Sequence, residues 1–267
     1  MDQAFTLPTV RPVGLDAPLR WLRLGWRDFR KCPGPCLAYG IALTLCVLAM
    51  TWAFIASNAA CWILALTCGF VFIAPMLAMG LYEAGRLLEA GEQPTLSKML
   101  FLRHAFRQDL VYLGLALLMI YLLWGRIAQL VYGLSTYKLH RTVDAFVTFA
   151  LTDPEGQSMA IANILTGGVI AFFTYAMVVV TAPMLLDRRA NVFAATVTSF
   201  TAVARNVGPM LLWAILIVSL LVATIPTGFL LLAIIFPWLG LASWHAYRDL
   251  VEKAPPEEGA ASHPGRT

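Results

Sequence analysis

The sequence predicts an all-α fold: a polytopic membrane bundle of six transmembrane helices with amphipathic helices at its cytoplasmic face. Three observations carry that expectation. Of 267 residues, 60% are hydrophobic and only 13% charged, a balance that ordinary soluble domains do not show. Uncharged apolar stretches of the order of 20 residues, the length a bilayer core requires, recur at 36–57, 61–82, 110–125, 160–186, 208–225 and 227–247. Basic residues, finally, gather on alternate connections.

The basic residues set the expected orientation, because cytoplasmic loops near span ends hold an excess of them. Six precede the first span (Arg11, Arg20, Arg23, Arg27, Arg30, Lys31), four lie between spans two and three (Arg86, Lys98, Arg103, Arg107), and three between spans four and five (Arg188, Arg189, Arg205). The first and fifth connections hold none, and the connection after span three holds Lys138 and Arg141. Both termini are therefore expected in the cytoplasm, and the net charge of +4 reads as a topology signal, with no nucleic acid as partner. Residues 1–17 contain no apolar core of the kind a cleaved signal peptide needs, so the first span is expected to stay as an anchor.

Taken in order, residues 1–17 are expected to be a flexible segment, 18–250 the six-helix transmembrane domain and 251–267 a disordered cytoplasmic tail rich in proline and small residues. In "PLRWLRLGWRDFRKCPGPC", Leu19, Leu22, Trp26 and Phe29 recur at helical spacing, with Arg20, Arg23, Arg27 and Arg30 one residue later. Such a segment lies in the headgroup plane, its basic stripe toward anionic lipid headgroups. Comparable segments at 95–109 and 191–206 lead into spans three and five. Span three holds only sixteen apolar residues before Arg126, which is read as snorkelling to an interface, and "IAQLVYGL" continues after it, so its extent around Arg126 stays open. The outer connection 135–159 carries Val143, Phe146, Val147, Ala150 and Leu151 at the spacing of a short helix on the outer leaflet.

A faint threefold pattern runs through these elements. Each amphipathic segment ends in a basic residue (Lys31, Arg107, Arg205), and "KCPGPC" matches "RNVGPM". Each even-numbered span carries a proline in its cytoplasmic half: Pro75, Pro183 and Pro237. "APMLAMGLYEAGR" superposes on "FPWLGLASWHAYR", and "APML" returns at 182–185. Three units, each an amphipathic helix, an odd span and a kinked even span, account for the pattern.

The stretches "WLRLGWRDFRKCPGPCLAYG", "APMLAMGLYEAGRLLEAGE", "APMLLDRR", "SFTAVARN" and "WHAYRD" resemble a group of bacterial integral membrane proteins, the domain-of-unknown-function family number 2189. The resemblance covers about residues 8–250. It implies a bacterial inner-membrane protein without an assigned activity, in a family some of whose members carry the label of cytochrome c oxidase subunits. The residues exclude a catalytic oxidase subunit, because haem and copper centres need several imidazoles and the chain has four histidines, dispersed between a tail, a loop and helix ends. No cofactor is expected.

Other candidate chemistry is sparse. Cys32 and Cys36 flank a Pro-Gly-Pro turn on the expected reducing side, and are read as reduced and metal-free turn residues. No phosphate loop, nucleophile triad or paired intramembrane carboxylates occur, so an enzyme is not expected. The charges after each proline are the candidate site: Glu83, Arg86, Asp187, Arg188, His245 and Arg248 could form one cytoplasmic polar cluster, or three unrelated helix ends. Two function classes follow. One is a non-enzymatic scaffold or accessory/assembly subunit of a membrane complex. The other is a small transporter or channel for a neutral or apolar solute, which repeats and interrupted helices favour. Polar groups converging at the three prolines would favour transport; tight apolar packing would favour a scaffold.

Overall fold

The computed structural model describes residues 8–56, 72–101, 108–136, 142–188 and 190–252. Over these residues the fold is all-helical. The helices are α1 (Ala17–Lys31), α2 (Pro33–Ala56), α3 (Met79–Glu89), α4 (Leu96–Leu100), α5 (Gln108–Ser135), α6 (Val143–Thr152), α7 (Pro154–Val178), α8 (Thr181–Asp187), α9 (Val192–Arg205), α10 (Val207–Val222) and α11 (Leu232–Leu250). A short helix over 72–77 leads into α3 through Ala78.

Four helices among the described residues are long and apolar enough to cross a membrane: Pro33–Ala53, Gln108–Ser135, Pro154–Asp187 and Val207–Thr227. They correspond to expected spans one, three, four and five. The first half of span two, residues 61–71, together with Arg103 and Arg107 of the second amphipathic segment, lies outside the described residues. Span six differs from expectation. Its helix starts only at Leu232, after a 3-10 turn at Ile225–Thr227, and ends with Arg248 and Asp249 inside its last turn. In span three, α5 runs through Arg126 for 28 residues, about 42 Å at 1.5 Å per residue. The helical ladder is made by the backbone, so an arginine whose guanidinium reaches out to Gln129 does not end it.

α8 and α11, which carry Pro183 and Pro237, and α3, which follows the short helix of Pro75, form the centre. α3, α8 and α11 touch one another, and α11 is buried on every side, from Leu232 and Phe236 to Tyr247 and Leu250, as befits a helix apolar all round. The long helices α2, α5 and α10 stand outside it, about a fifth buried, against 56% for the span of α7 and α8. The amphipathic segments pack in sequence: α4 on α3, α9 on α7 and α8, and α1 on α11. α6 closes the far end, its Phe146 and Phe149 packed with Met159 of α7 and Tyr132 of α5.

α1 buries a different stripe from the expected one. Trp21, Leu22, Gly25, Asp28 and Phe29 are covered, whereas Leu19 and Trp26 remain partly exposed. The reason is a close crossing with α11: a Cβ on Gly25 would lie 2.7–2.8 Å from the backbone of Ala242. Trp21 seats edge-on against Trp213 of α10, ring centres 5.5 Å apart, and the Trp238 indole donates to the Leu22 carbonyl at 2.8 Å.

Near each proline the helix meets another element. Below Pro75, the Leu81 N–H turns to the Ala78 carbonyl at 2.9 Å, and the Tyr39 hydroxyl of α2 donates to the freed Leu77 carbonyl at 2.7 Å. Above Pro183 the helix opens at Val179 and Val180. There the Ser199 hydroxyl of α9 donates to the Ala176 carbonyl at 2.7 Å and accepts from the Val180 N–H at 3.2 Å, standing in for one helical bond. α11 runs through Pro237 unbroken. Gly40 of α2 lies against the Ala233 carbonyl that Pro237 cannot bond, so near that a Cβ would come within 2.0 Å of it.

Residues 8–14, expected within the flexible segment, form a strap. Val10 pairs with Val251, Arg11 N–H donates to the Leu250 carbonyl at 2.8 Å, and Glu252 N–H donates to the Thr9 carbonyl at 3.1 Å. The Asn206 amide, at the junction of α9 and α10, accepts from Val13 N–H at 2.8 Å and donates to the Arg11 carbonyl at 3.1 Å. Residues 1–7 and 253–267 lie outside the described residues.

The crossing of α1 and α11 makes a direct test. Gly25→Ala should lower the stability of detergent-solubilised protein by about 1–3 kcal/mol through overpacking. Gly34→Ala, where nothing lies within 4 Å of the added Cβ, should leave it within about 0.5 kcal/mol. Thermal unfolding followed by circular dichroism reads both; equal effects would contradict the close crossing.

Candidate functional site

Three helix ends converge on Arg248. Its guanidinium donates to Asp187 of α8 at 3.1 Å and to Glu89 of α3 at 2.8 Å. The Tyr247 hydroxyl donates to the same Asp187 oxygen at 2.6 Å, and Arg188 donates to the Tyr247 oxygen at 3.1 Å. Trp244 and Tyr247 flank the Arg248 guanidinium at 5.8 and 5.9 Å from their ring centres, near enough for cation–π attraction. The Trp244 indole also reaches Glu89, at 3.3 Å. Periodicity explains the shelf: residues 244, 247 and 248 share one face of α11.

The expected polar residues thus divide. Asp187, Arg188 and Arg248 meet, joining the ends of α8 and α11. Glu83 and Arg86 form a bidentate pair one turn apart on α3, at 2.6 and 2.8 Å. Arg86 is held above its usual range by Glu83, its closest partner, with Asp187 adding a weaker pull, so the pair borders the cluster. His245 is turned elsewhere, its Nε2 lying 2.7 Å from Asp28 of α1. Asp28 also receives Lys31 at 2.7 Å. Burial raises the Asp28 carboxyl, but the contacts with His245 and Lys31 outweigh it and hold the group below the usual carboxylate range. Next to it, Asp249 accepts from Arg20 at 2.6 Å and from the Trp21 indole at 2.8 Å.

Glu89, Tyr247 and Asp28 were not among the expected site residues. Glu89 lies three residues beyond Arg86 on the same helix, and Tyr247 sits directly before Arg248, so their spacing held the signal. Asp28 and Asp249 needed the crossing of α1 and α11 to meet their partners.

Chemically the cluster is balanced. Arg86, Arg188 and Arg248 face Glu83, Glu89 and Asp187, so the charges neutralise one another. Behind it, a cavity of about 120 Å³ lies between the start of α3 with the short helix before it, α7, α10 and α11, lined by Pro75, Tyr82, Thr174, Tyr175, Phe236 and Ser243 among others. Its lining is mainly apolar. The Thr174, Tyr175 and Ser243 hydroxyls donate to the carbonyls of Ile170, Met210 and Leu239, each at 2.8 Å. It is smaller than a pocket for a drug-sized ligand.

Residues 63–187 match the model of the family described as predicted integral membrane protein (DUF2189), so this segment of the chain is similar to that family. The match agrees with the family that the sequence resembles and is shorter than the 8–250 over which the resemblance runs; "APMLAMGLYEAGRLLEAGE" falls within it. No curated protein matches the chain, and no solved structure matches it.

Two measurements probe the cluster and its neighbour. In a double-mutant cycle, Arg248→Met and Asp187→Asn should show a coupling of about 1–2 kcal/mol, because each removes the other's partner; additive effects would make the pair incidental. Asp28 contributes stability that is full above about pH 4 and is lost as pH falls through its lowered folded value. Acid unfolding of the wild type should therefore lose stability below about pH 4, and Asp28→Asn should remove that part of the pH dependence.

Proposed function

We propose that the protein is a non-enzymatic scaffold or accessory/assembly subunit of a bacterial inner-membrane complex, with both termini in the cytoplasm. The observation that carries this reading is the Arg248 cluster. It ties α3, α8 and α11 together at one end, and its three arginines and three carboxylates balance one another in charge. The three outer helices turn apolar faces outward, as expected of a body that lies among lipid or against other membrane helices.

Three units, with six spans in all, organise that body. In this reading each amphipathic segment rests on the proline-bearing helix of the unit before it, and the first rests on the last, closing a ring. The junctions after α1 and α9 support it: Cys32 has φ −136 and ψ 58, Asn206 φ −129 and ψ 43. Exposed Arg23, Arg27 and Arg30 on α1 are proposed to meet anionic lipid headgroups.

A second reading has one observation in its favour. The apolar cavity beside Pro75 suits a small transporter or channel for a neutral or apolar solute. Affinity purification of the tagged full chain from native membranes separates the two. The scaffold reading expects one membrane complex to co-purify in stoichiometric amount, and its loss when Arg248 is replaced by Met would tie the cluster to docking. A chain that purifies alone and carries a solute across vesicles would favour transport. Reporter fusions should place residue 155 outside the cytoplasm and 92, 195 and 260 inside; a cytoplasmic signal at 155 would overturn the topology.

A further inference from the structure

Cys32 and Cys36 stand at one helix junction. Cys32 closes the C-terminus of α1, Cys36 lies in the first turn of α2, and the Cys36 N–H donates to the Cys32 carbonyl at 3.3 Å. The two sulfurs are 3.4 Å apart, and Cys32 Sγ is 3.5 Å from the Asp28 carbonyl oxygen. Both side chains are buried, Cys32 with 4% exposure and Cys36 with none.

The sequence accounts for the pair as parts of a turn, but the molecule holds its own control. The junction from α9 to α10 has nearly the same backbone form, with Asn206 in the place of Cys32 and Met210 in the place of Cys36. Asn206 N–H returns to the Val203 carbonyl as Cys32 N–H returns to that of Phe29, and Met210 N–H donates to the Asn206 carbonyl at 2.9 Å. The turn therefore forms without thiols. Asparagine there grips the N-terminal strap; two sulfurs in contact offer a different chemistry.

We propose that Cys32 and Cys36 are an oxidisable dithiol, which closes into an intramolecular disulfide when a hydroperoxide reaches the junction. The geometry permits it. One helical turn separates the residues, so their Cα atoms lie about 6 Å apart, inside the range that a disulfide accepts. The sulfurs need to approach by little more than an ångström. In the first step the Cys32 thiolate attacks one peroxide oxygen: an S–O bond forms, the O–O bond breaks, and the departing oxygen takes a proton to leave as an alcohol or water. Cys32 is then a sulfenic acid. In the second step the Cys36 sulfur attacks the Cys32 sulfur, the S–O bond breaks, and the hydroxyl leaves as water with the Cys36 proton. Two thiols lose two electrons and two protons, and the hydroperoxide gains them.

Cys32 is the attacking sulfur on position and on charge. It lies at the helix break beside exposed Lys31, Pro33 and Gly34, so a small shift of this turn would open it to a peroxide. The hydrogen bond from Cys36, with Lys31 assisting, outweighs burial and Asp28 and holds its thiol below the usual range. Among the described residues no three His, Cys, Asp or Glu side chains are placed to hold a metal ion. Closure would also draw Cys32 away from the last turn of α1, whose Asp28 holds His245 and Lys31.

The test uses the full chain in detergent, reduced, desalted and treated with hydrogen peroxide, then quenched with acid, alkylated and digested. Two of the five thiols should be lost, and the peptide spanning residues 32–36 should be lighter by two hydrogens until dithiothreitol restores it. Cys36→Ser should stop at the sulfenic acid and take up dimedone at Cys32, and Cys32→Ser should lose the intramolecular product. Both thiols of that peptide remaining open to alkylation would overturn the proposal, as would loss confined to Cys46, Cys61 or Cys68. Copper(I) retained at one per chain by the reduced protein, and released by Cys32→Ser, would assign the pair to a metal and overturn it equally.

Discussion

A single guanidinium serves three helices. Arg248 reaches Asp187 with one nitrogen and Glu89 with another, a division that the planar fork of arginine permits and the point charge of lysine does not. The aromatic shelf comes from the same helix, so α11 supplies both the cation and the surfaces that hold it in place. Burying charge near a membrane is costly unless each group finds a partner, and here the partners arrive on α8 and α3. The relative positions of those helix ends are therefore coupled: moving any one leaves a charge uncompensated.

The prolines state the same constraint for the backbone. In hydrocarbon, each freed N–H or C=O must be satisfied by protein, and hydroxyls from α2 and α9 do this near Pro75 and Pro183. Tyr39 donates to the Leu77 carbonyl and Ser199 is set into the ladder, while Gly40 lets α2 lie directly against the Ala233 carbonyl. What disturbs the ladder inside one helix thereby fastens it to another. The outer helices owe part of their placement to defects in the inner ones, which is why small or hydroxyl-bearing residues occur at these contacts where a larger apolar side chain would bury more surface.

Much of this was legible in the residues. Apolar length identified α2, α5, α7 and α10, because hydropathy reports directly on contact with lipid. The meeting of Asp187 with Arg248 could be anticipated from charges that follow an apolar run at similar distance past a proline. The pairing of His245 could not, since its partner Asp28 lies on a helix more than 200 residues earlier and only the crossing brings them together. The buried face of α1 was misjudged for a related reason. Its apolar residues fit two neighbouring stripes, and the choice rests on Gly25, which has no hydropathic signal but lets the helices approach. The extent of span three around Arg126 stayed open because charge marks interfaces on average, whereas a long helix can carry one cation at its rim and continue.

The charges separate by role as well as by place. Arg20, Lys31, Arg86, Arg188 and Arg248 are held in ion pairs, while Arg23, Arg27 and Arg30 are exposed and make no ion pair among the described residues. A simple count of basic residues treats these two sets alike. Physically they act differently: the paired arginines are nearly neutral from a distance, their fields cancelled within a few ångströms, and the exposed ones keep theirs over a Debye length of roughly 8 Å at physiological salt. The positive face that a membrane surface would sense is therefore α1, and it lies on the helix that crosses α11 beside the Arg248 cluster.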